Sequence, residues 1–257
     1  MLKKGTFYIY GKKPIEEQLM QNPKNVMRVF ISDVIASTSQ EFTLLKQYSK
    51  DHNIPINSIS KHKLKEYVGD VNTQGIIALV KEAFYTEYED WLETYNPEEL
   101  TSVLILDRIE DTHNFGAILR TAAAVGVSAV FVAKDHQAPI NGTVFKTSAG
   151  ALTRIPVVRV SNINQMIDRL KKMKFWTAAI DMEDDTGRTE SLWDQKFDTS
   201  MAFVLGSEGS GVAEKTRERC DFVLSIPMDN GVDSLNVSVA GAIVLYEWKR
   251  QVQNMLK

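Results

Sequence analysis

The chain has 257 residues, 44% of them hydrophobic and 25% charged, and a formal net charge of −3. This is the balance of a soluble globular protein with length for two domains and a sizeable core. No apolar run reaches the ~18 residues of a membrane span; the best candidate, 237–248, is short and contains Glu247.

One cysteine, Cys220, cannot close an internal disulfide, so a reducing, cytoplasmic setting is expected. Residues 1–5 lead into a strand pattern, not into the apolar core of a signal peptide. The four histidines (52, 62, 113 and 136) and the cysteine lack zinc spacing, and no metal is expected.

In chain order, residues 6–10 read as a strand, and Pro14 suits the first turn of a helix ending near Gln21. A strand at 26–31 follows, then a helix at 41–51 with Phe42, Leu45 and Tyr48 on one side. A strand at 56–59, a short helix at 61–67 and a buried strand at 76–80 complete a small α/β module over 1–83. Residues 84–100 hold six acids, no base and several aromatics. They read as an acidic linker or short connecting helix whose aromatics dock on a flanking domain.

A second alternation fills 101–257. It has strands at 103–106, 129–133, 157–160, 175–180, 201–205 and 222–226, and helices at 115–125, 163–173 and 212–219. A loop is expected near 134–145 and a final helix from about Asn236. Strands alternating with helices predict a mostly parallel sheet covered on both faces.

Charge is spread unevenly. Residues 1–83 carry 12 Lys/Arg against 8 Asp/Glu, whereas 101–257 carry 18 against 19. A basic front module, with Lys12, Lys13, Lys61, Lys63 and Lys65, points mildly to an anionic partner. A solvated surface explains the same excess.

The first strand of the larger domain ends in Asp107-Arg108-Ile109-Glu110, with none of the glycines a dinucleotide site needs there. P-loop and nucleophile-elbow patterns are missing too. Gly206, Gly209 and Gly211 instead follow a later strand, where they form either a ligand-approaching turn or merely a tight one. Asn114 opens an apolar helix and reads first as its N-cap. Arg120 stands among Ala, Ile, Leu and Val, which suits either a wet cleft with an anion or a buried pair with Glu208 or Asp107. Ser234 and Asn236 precede the last helix, and capping accounts for them. Asn141 and Asn236 also fit the glycosylation triplet, which has no meaning in a cytoplasmic protein.

Three segments together resemble the motifs of the SpoU branch of the SPOUT RNA methyltransferases. They are Asn114-Phe115-Gly116-Ala117-Ile118-Leu119-Arg120, then Val204 through Gly211, then Ile226-Pro227-Met228 through Ser234-Leu235-Asn236-Val237-Ser238. The front module, with Tyr10-Gly11 and Thr73-Gln74-Gly75-Ile76-Ile77-Ala78, resembles the RNA-binding domain that precedes such catalytic domains. The resemblance implies an α/β fold with a C-terminal knotted parallel sheet flanked by helices, S-adenosylmethionine as methyl donor, and a homodimer. It implies an RNA-binding domain over 1–83, a linker over 84–100 and a catalytic domain over 101–257. Gly206, Ile226 and Leu235 match the cofactor-holding positions; Asn114, Arg120, Glu208, Ser234 and Asn236 match the catalytic set. The implied reaction is 2′-O-methylation of an RNA ribose, in the first instance a guanosine of 23S rRNA. The rivals are a tRNA ribose methyltransferase, a non-catalytic RNA-binding or ribosome-assembly protein on the same fold, and a small-molecule α/β enzyme.

Overall fold

The computed structural model describes residues 5–36, 42–82, 84–182, 189–207, 209–232 and 234–255. The chain divides into two compact units, residues 1–84 with 139–154, and residues 85–138 with 155–257.

The first unit opens with β1 (Thr6–Tyr10), α1 (Lys12–Gln21), β2 (Val26–Ser32) and α2 (Asp33–Ala36). It continues with α3 (Thr43–Asp51), β3 (Ile56–Ile59), α4 (Lys61–Val68) and β4 (Ile76–Lys81). Its sheet runs β1-β4-β2-β3, with β4 antiparallel to β1 and β2, and β3 parallel to β2. Gly11 caps α1 at φ +93, and a Cβ there would lie 2.7 Å from Lys146 Nζ. The backbone angle calls for glycine there, while the flexible lysine end could swing aside.

The second unit begins with α5 (Tyr88–Thr94), β5 (Ser102–Leu106), α6 (Thr112–Val125) and β6 (Ala129–Ala133). The chain then returns to the first unit for α7 (Gly142–Thr147) and a 3₁₀ turn at Ala151–Arg154. There Tyr10 and Thr143 share a hydroxyl–hydroxyl hydrogen bond of 3.2 Å, Lys146 donates to Gln74, and Arg154 pairs with Glu17. The 134–145 stretch is therefore only partly loop. Asn141 starts α7 by accepting from the amides of Thr143 and Val144 at 3.0 and 3.1 Å. That capping role was available in the sequence, where Asn141 stands out only as a glycosylation triplet.

Back in the second unit come β7 (Val157–Val160), α8 (Ile163–Lys172), β8 (Trp176–Ile180), β9 (Thr189–Ser191), β10 (Met201–Leu205), α9 (Glu214–Arg217), β11 (Phe222–Ser225) and α10 (Val237–Met255). The sheet is wholly parallel, in the order β7-β6-β5-β10-β8-β11-β9. All five residues of β5 and of β10 are buried. Continuous apolar strands of this kind belong at the centre of a sheet covered on both faces. On one face α8 buries Ile163, Met166, Ile167 and Leu170, a helical stripe. Elsewhere α10 packs along α6 and comes so close to β10 that a Cβ on Gly241 would lie 2.7 Å from Leu205 Cδ1.

Two elements of the second unit differ from the sequence expectation. The helix read over 212–219 is a single turn, because Ala213 already gives its amide to Asp107 and Cys220 turns the chain back toward β11. The three-residue β9 goes unread, since Thr-Glu-Ser is polar and its strand character comes only from pairing with β11. Among the described residues no helix is long and apolar enough to cross a membrane.

The acidic stretch 84–100 has structure of its own. Thr86 donates its amide to Val157 O at 2.8 Å, and Trp91 of α5 is 1% exposed within the core of the second unit.

Candidate active site

All seven strands of the large sheet run the same way, so their C-terminal ends form one rim. The chain moves outward from β5 to β7 and then crosses back to β8, leaving β5 and β10 at the reversal. In open parallel sheets that is where ligands bind. A cavity of about 230 Å³ lies beside this point, on the β10 side. It is walled by the ends of β8 (Ile180, Asp181, Met182) and β10 (Leu205, Gly206, Ser207), by Ile226 and Met228 after β11, and by Ser234, Leu235, Val237 and Ala240 leading into α10.

Three of the predicted residues, Gly206, Ile226 and Leu235, thus line one cavity, joined by Ser234. Gly206 has a structural reason to be glycine: a Cβ would lie 2.0 Å from the Gly211 carbonyl carbon and 2.2 Å from Val212 N, both fixed backbone. Gly206→Ala should therefore force the turn apart and cost about 1–3 kcal/mol. A lowered denaturation midpoint in urea would register it.

Asn114 does not cap α6. Asp111 does, accepting from the amides of His113 and Asn114 at 2.6 and 2.9 Å. Asn114 sits one turn inside, where its Oδ1 accepts a hydrogen bond from Asn236 Nδ2 at 3.0 Å. Asn236 does cap α10, its Oδ1 accepting from the Ser238 amide at 2.9 Å and from the Ser238 hydroxyl. The two asparagines, 122 positions apart, tie the starts of α6 and α10 together.

Arg120 is exposed on α6 rather than buried, and among the described residues no carboxylate pairs with it. It does not line the cavity. The expected pairing with Asp107 is replaced by another: Asp107 Oδ1 accepts from Arg108 Nε at 3.2 Å, and Oδ2 from Ala213 N at 3.0 Å. Asp107 thereby anchors the far end of the glycine turn. Glu208 lies outside the described residues.

Sequence reading missed Asp181, and it held Met228 only as a member of the third motif. Asp181 has only 11% of its side chain exposed and ends β8 on the cavity wall, 4.0 Å from Arg217. An acid directly after the apolar strand 176–180 was the available signal. The lone thiol, Cys220, is pushed up to about 12 by burial and is inert at neutral pH.

The same fold occurs in solved structures. The SpoU methyltransferase AviRb from Streptomyces viridochromogenes matches with a TM-score of 0.77 at 22% identity, covering 97% of this chain and 91% of its own. An AdoMet-bound rRNA methyltransferase from Sinorhizobium meliloti matches with a TM-score of 0.79 at 18% identity, covering 96% and 88%. Both share the fold of this chain over nearly its whole length. Residues 101–246 match the SpoU rRNA methylase family, and residues 8–86 match the substrate-binding domain of RNA 2′-O ribose methyltransferases. A TrmH family protein of Staphylococcus aureus (strain MSSA476) is 35% identical over 241 residues, 93% of this chain and 94% of the relative. The chain belongs to the SpoU rRNA methylase family and is an RNA 2′-O-ribose methyltransferase.

Proposed function

We propose that this enzyme methylates a ribose 2′-hydroxyl of ribosomal RNA, most specifically a guanosine of 23S rRNA, using S-adenosylmethionine held in the rim cavity. The observation that carries the reading is the make-up of that cavity. Met228 and Leu235 remain 37% and 36% exposed at its wall, apolar surface that an adenosyl group would cover. Asp181 adds a carboxylate able to accept from ribose hydroxyls or an ammonium. Gly206, Ile226 and Leu235 supply backbone at close range. When bound, the cofactor provides an electrophilic methyl group on a sulfonium.

The rest of the chemistry falls to the chain's own residues. A ribose hydroxyl is a weak nucleophile, and holding it in line with its target lowers the barrier by several kcal/mol. Arg120, exposed and without a carboxylate partner among the described residues, is free to fork a substrate phosphate and to stabilise the developing alkoxide. A guanidinium keeps its proton, so a phosphate oxygen or water accepts the one the hydroxyl loses. The Asn114–Asn236 pair fixes the helix starts beside the site and, with Glu208 and Ser234, orients the ribose.

Residues 1–83 serve as the RNA-binding domain and 101–257 as the catalytic domain, working in the cytoplasm. A homodimer belongs to the same proposal: Val239 and Tyr246 stand 47% and 55% exposed on α10, an apolar face for a second copy. Ribosomal RNA is supported by the rRNA methylase family match at 101–246. The tRNA reading keeps a specific support of its own, since the Staphylococcus relatives carry both tRNA and rRNA in their names. Mapping 2′-O-methyl marks on total RNA from cells with and without the gene decides between them. Loss of one mark in 23S rRNA is the expected result; loss confined to tRNA would overturn the ribosomal assignment.

A further inference from the structure

The cofactor cavity uses only the β8, β10 and β11 section of the rim. At its other end, where β6 and β7 finish, lies a second cleft of about 160 Å³. Lys134 enters it just after β6, Arg159 from β7 and Arg169 from α8, while Glu87, Tyr88 and Glu89 enter from the start of α5. Three strand spacings separate β7 from β10, roughly 14 Å along the rim.

The cations here are arranged unlike ordinary surface charge. The Arg159 guanidinium lies 3.8 Å from the centre of the Tyr85 ring, and that of Arg169 lies 5.2 Å from Tyr88. Each cation–π contact tethers a guanidinium beside a ring, and among the described residues its donors pair with no carboxylate. Among the described residues Lys134, Arg159 and Arg169 form no ion pair, although Glu87 and Glu89 share the cleft. Arginine forks suit phosphate oxygens. The two carboxylates would repel a bare phosphate but accept N–H groups from a base edge, and the guanidinium–tyrosine stacks offer flat surfaces for a base. An acidic peptide would meet the same carboxylates with nothing to satisfy them.

We propose that this cleft binds a nucleotide of the single-stranded RNA substrate a short distance along the strand from the methylated ribose, its phosphate on Arg159, Arg169 and Lys134 and its base edge toward Glu87 and Glu89. This deepens the RNA methyltransferase reading and rests on it: the strand would run along one rim, with the target at the cofactor cavity and a neighbour gripped at β7.

The test uses the full-length double variant Arg159→Ala/Arg169→Ala, both positions being exposed. Affinity for bulk ribosomal RNA from cells lacking the gene is measured at several salt concentrations, together with S-adenosylhomocysteine binding and methyl incorporation. RNA affinity should fall on the order of tenfold, and the slope of log K against log salt should become shallower by about 0.7, the release expected for one single-strand phosphate contact. The KM for RNA should rise with kcat and S-adenosylhomocysteine affinity retained. Unchanged RNA affinity and slope would overturn the proposal. Arg159→Lys/Arg169→Lys should restore the slope but not the affinity, because lysine has no fork; full recovery of affinity would reduce the site to a charged patch and also overturn it. A wild-type enzyme that methylates RNA while the alanine variant binds like it refutes the cleft alone. A wild-type protein that needs the cleft for RNA but transfers no methyl refutes the catalytic reading alone.

Discussion

Arg120→Ala should lower kcat for methyl transfer by roughly 10²–10³, the effect of removing one donor aimed at developing negative charge. The side chain is exposed and forms no ion pair with any described residue, so its removal should leave stability within about 0.5 kcal/mol of wild type. S-adenosylhomocysteine should bind as before, because Arg120 is not among the residues lining the cavity. Single-turnover methylation beside calorimetric titration separates the two effects. Near-normal turnover in the variant would remove Arg120 from the mechanism. Arg120→Lys is a sharper companion: it keeps the charge and loses the fork, and should recover little activity if the arginine grips a phosphate with two donors.

The second large effect is on stability. Trp91→Ala should cost about 3–5 kcal/mol. The indole is 1% exposed, meets Phe131 edge-on with ring centres 5.0 Å apart, and donates from Nε1 to Ser128 Oγ at 3.1 Å. Its removal empties a large volume between α5 and the sheet and takes that donor from the half-buried Ser128 hydroxyl. Chemical denaturation followed by far-UV circular dichroism should show a midpoint well below wild type. A shift under 1 kcal/mol would mean that α5 contributes little to the second unit.

Trp91 also shows what the sequence could and could not reveal. Composition marks 84–100 as acidic and connecting, and its aromatics signal docking. Which domain receives them depends on Phe131 and Ser128, some 40 positions away, and no local pattern carries that. The central strands were readable because β10 is apolar throughout and β5 is apolar after Ser102, as burial on both faces demands. The polar β9 was not, because only its partner β11 makes it a strand.

The site divides in the same way. The glycine turn after β10 and the Ile226 and Leu235 segments are contiguous signals, and the fold gathers them around one cavity. Asn114 was misplaced as a cap because Asp111, three positions earlier, is an equally good capping residue, and only the observed hydrogen bonds choose between them. That choice matters for function, since it leaves the Asn114 side chain available to Asn236. Arg120 read as a buried or cleft-facing cation because its neighbours are apolar. In the helix it falls on the outward side while Phe115, Ile118, Leu119 and Ala122 face inward. The pairing of Asp107 with the Ala213 amide, which steadies the glycine turn, spans 106 positions and has no sequence signature.

The most direct test of the central claim is transfer of a radiolabelled methyl group from S-adenosylmethionine to RNA by the purified protein, followed by alkaline hydrolysis. A 2′-O-methyl blocks cleavage at its own phosphodiester, so the account predicts label in an alkali-resistant dinucleotide, formed roughly 10²–10³ times more slowly by Arg120→Ala. Label released in mononucleotides would place the methyl on a base, and no label in any RNA would deny the activity; either result would contradict the account.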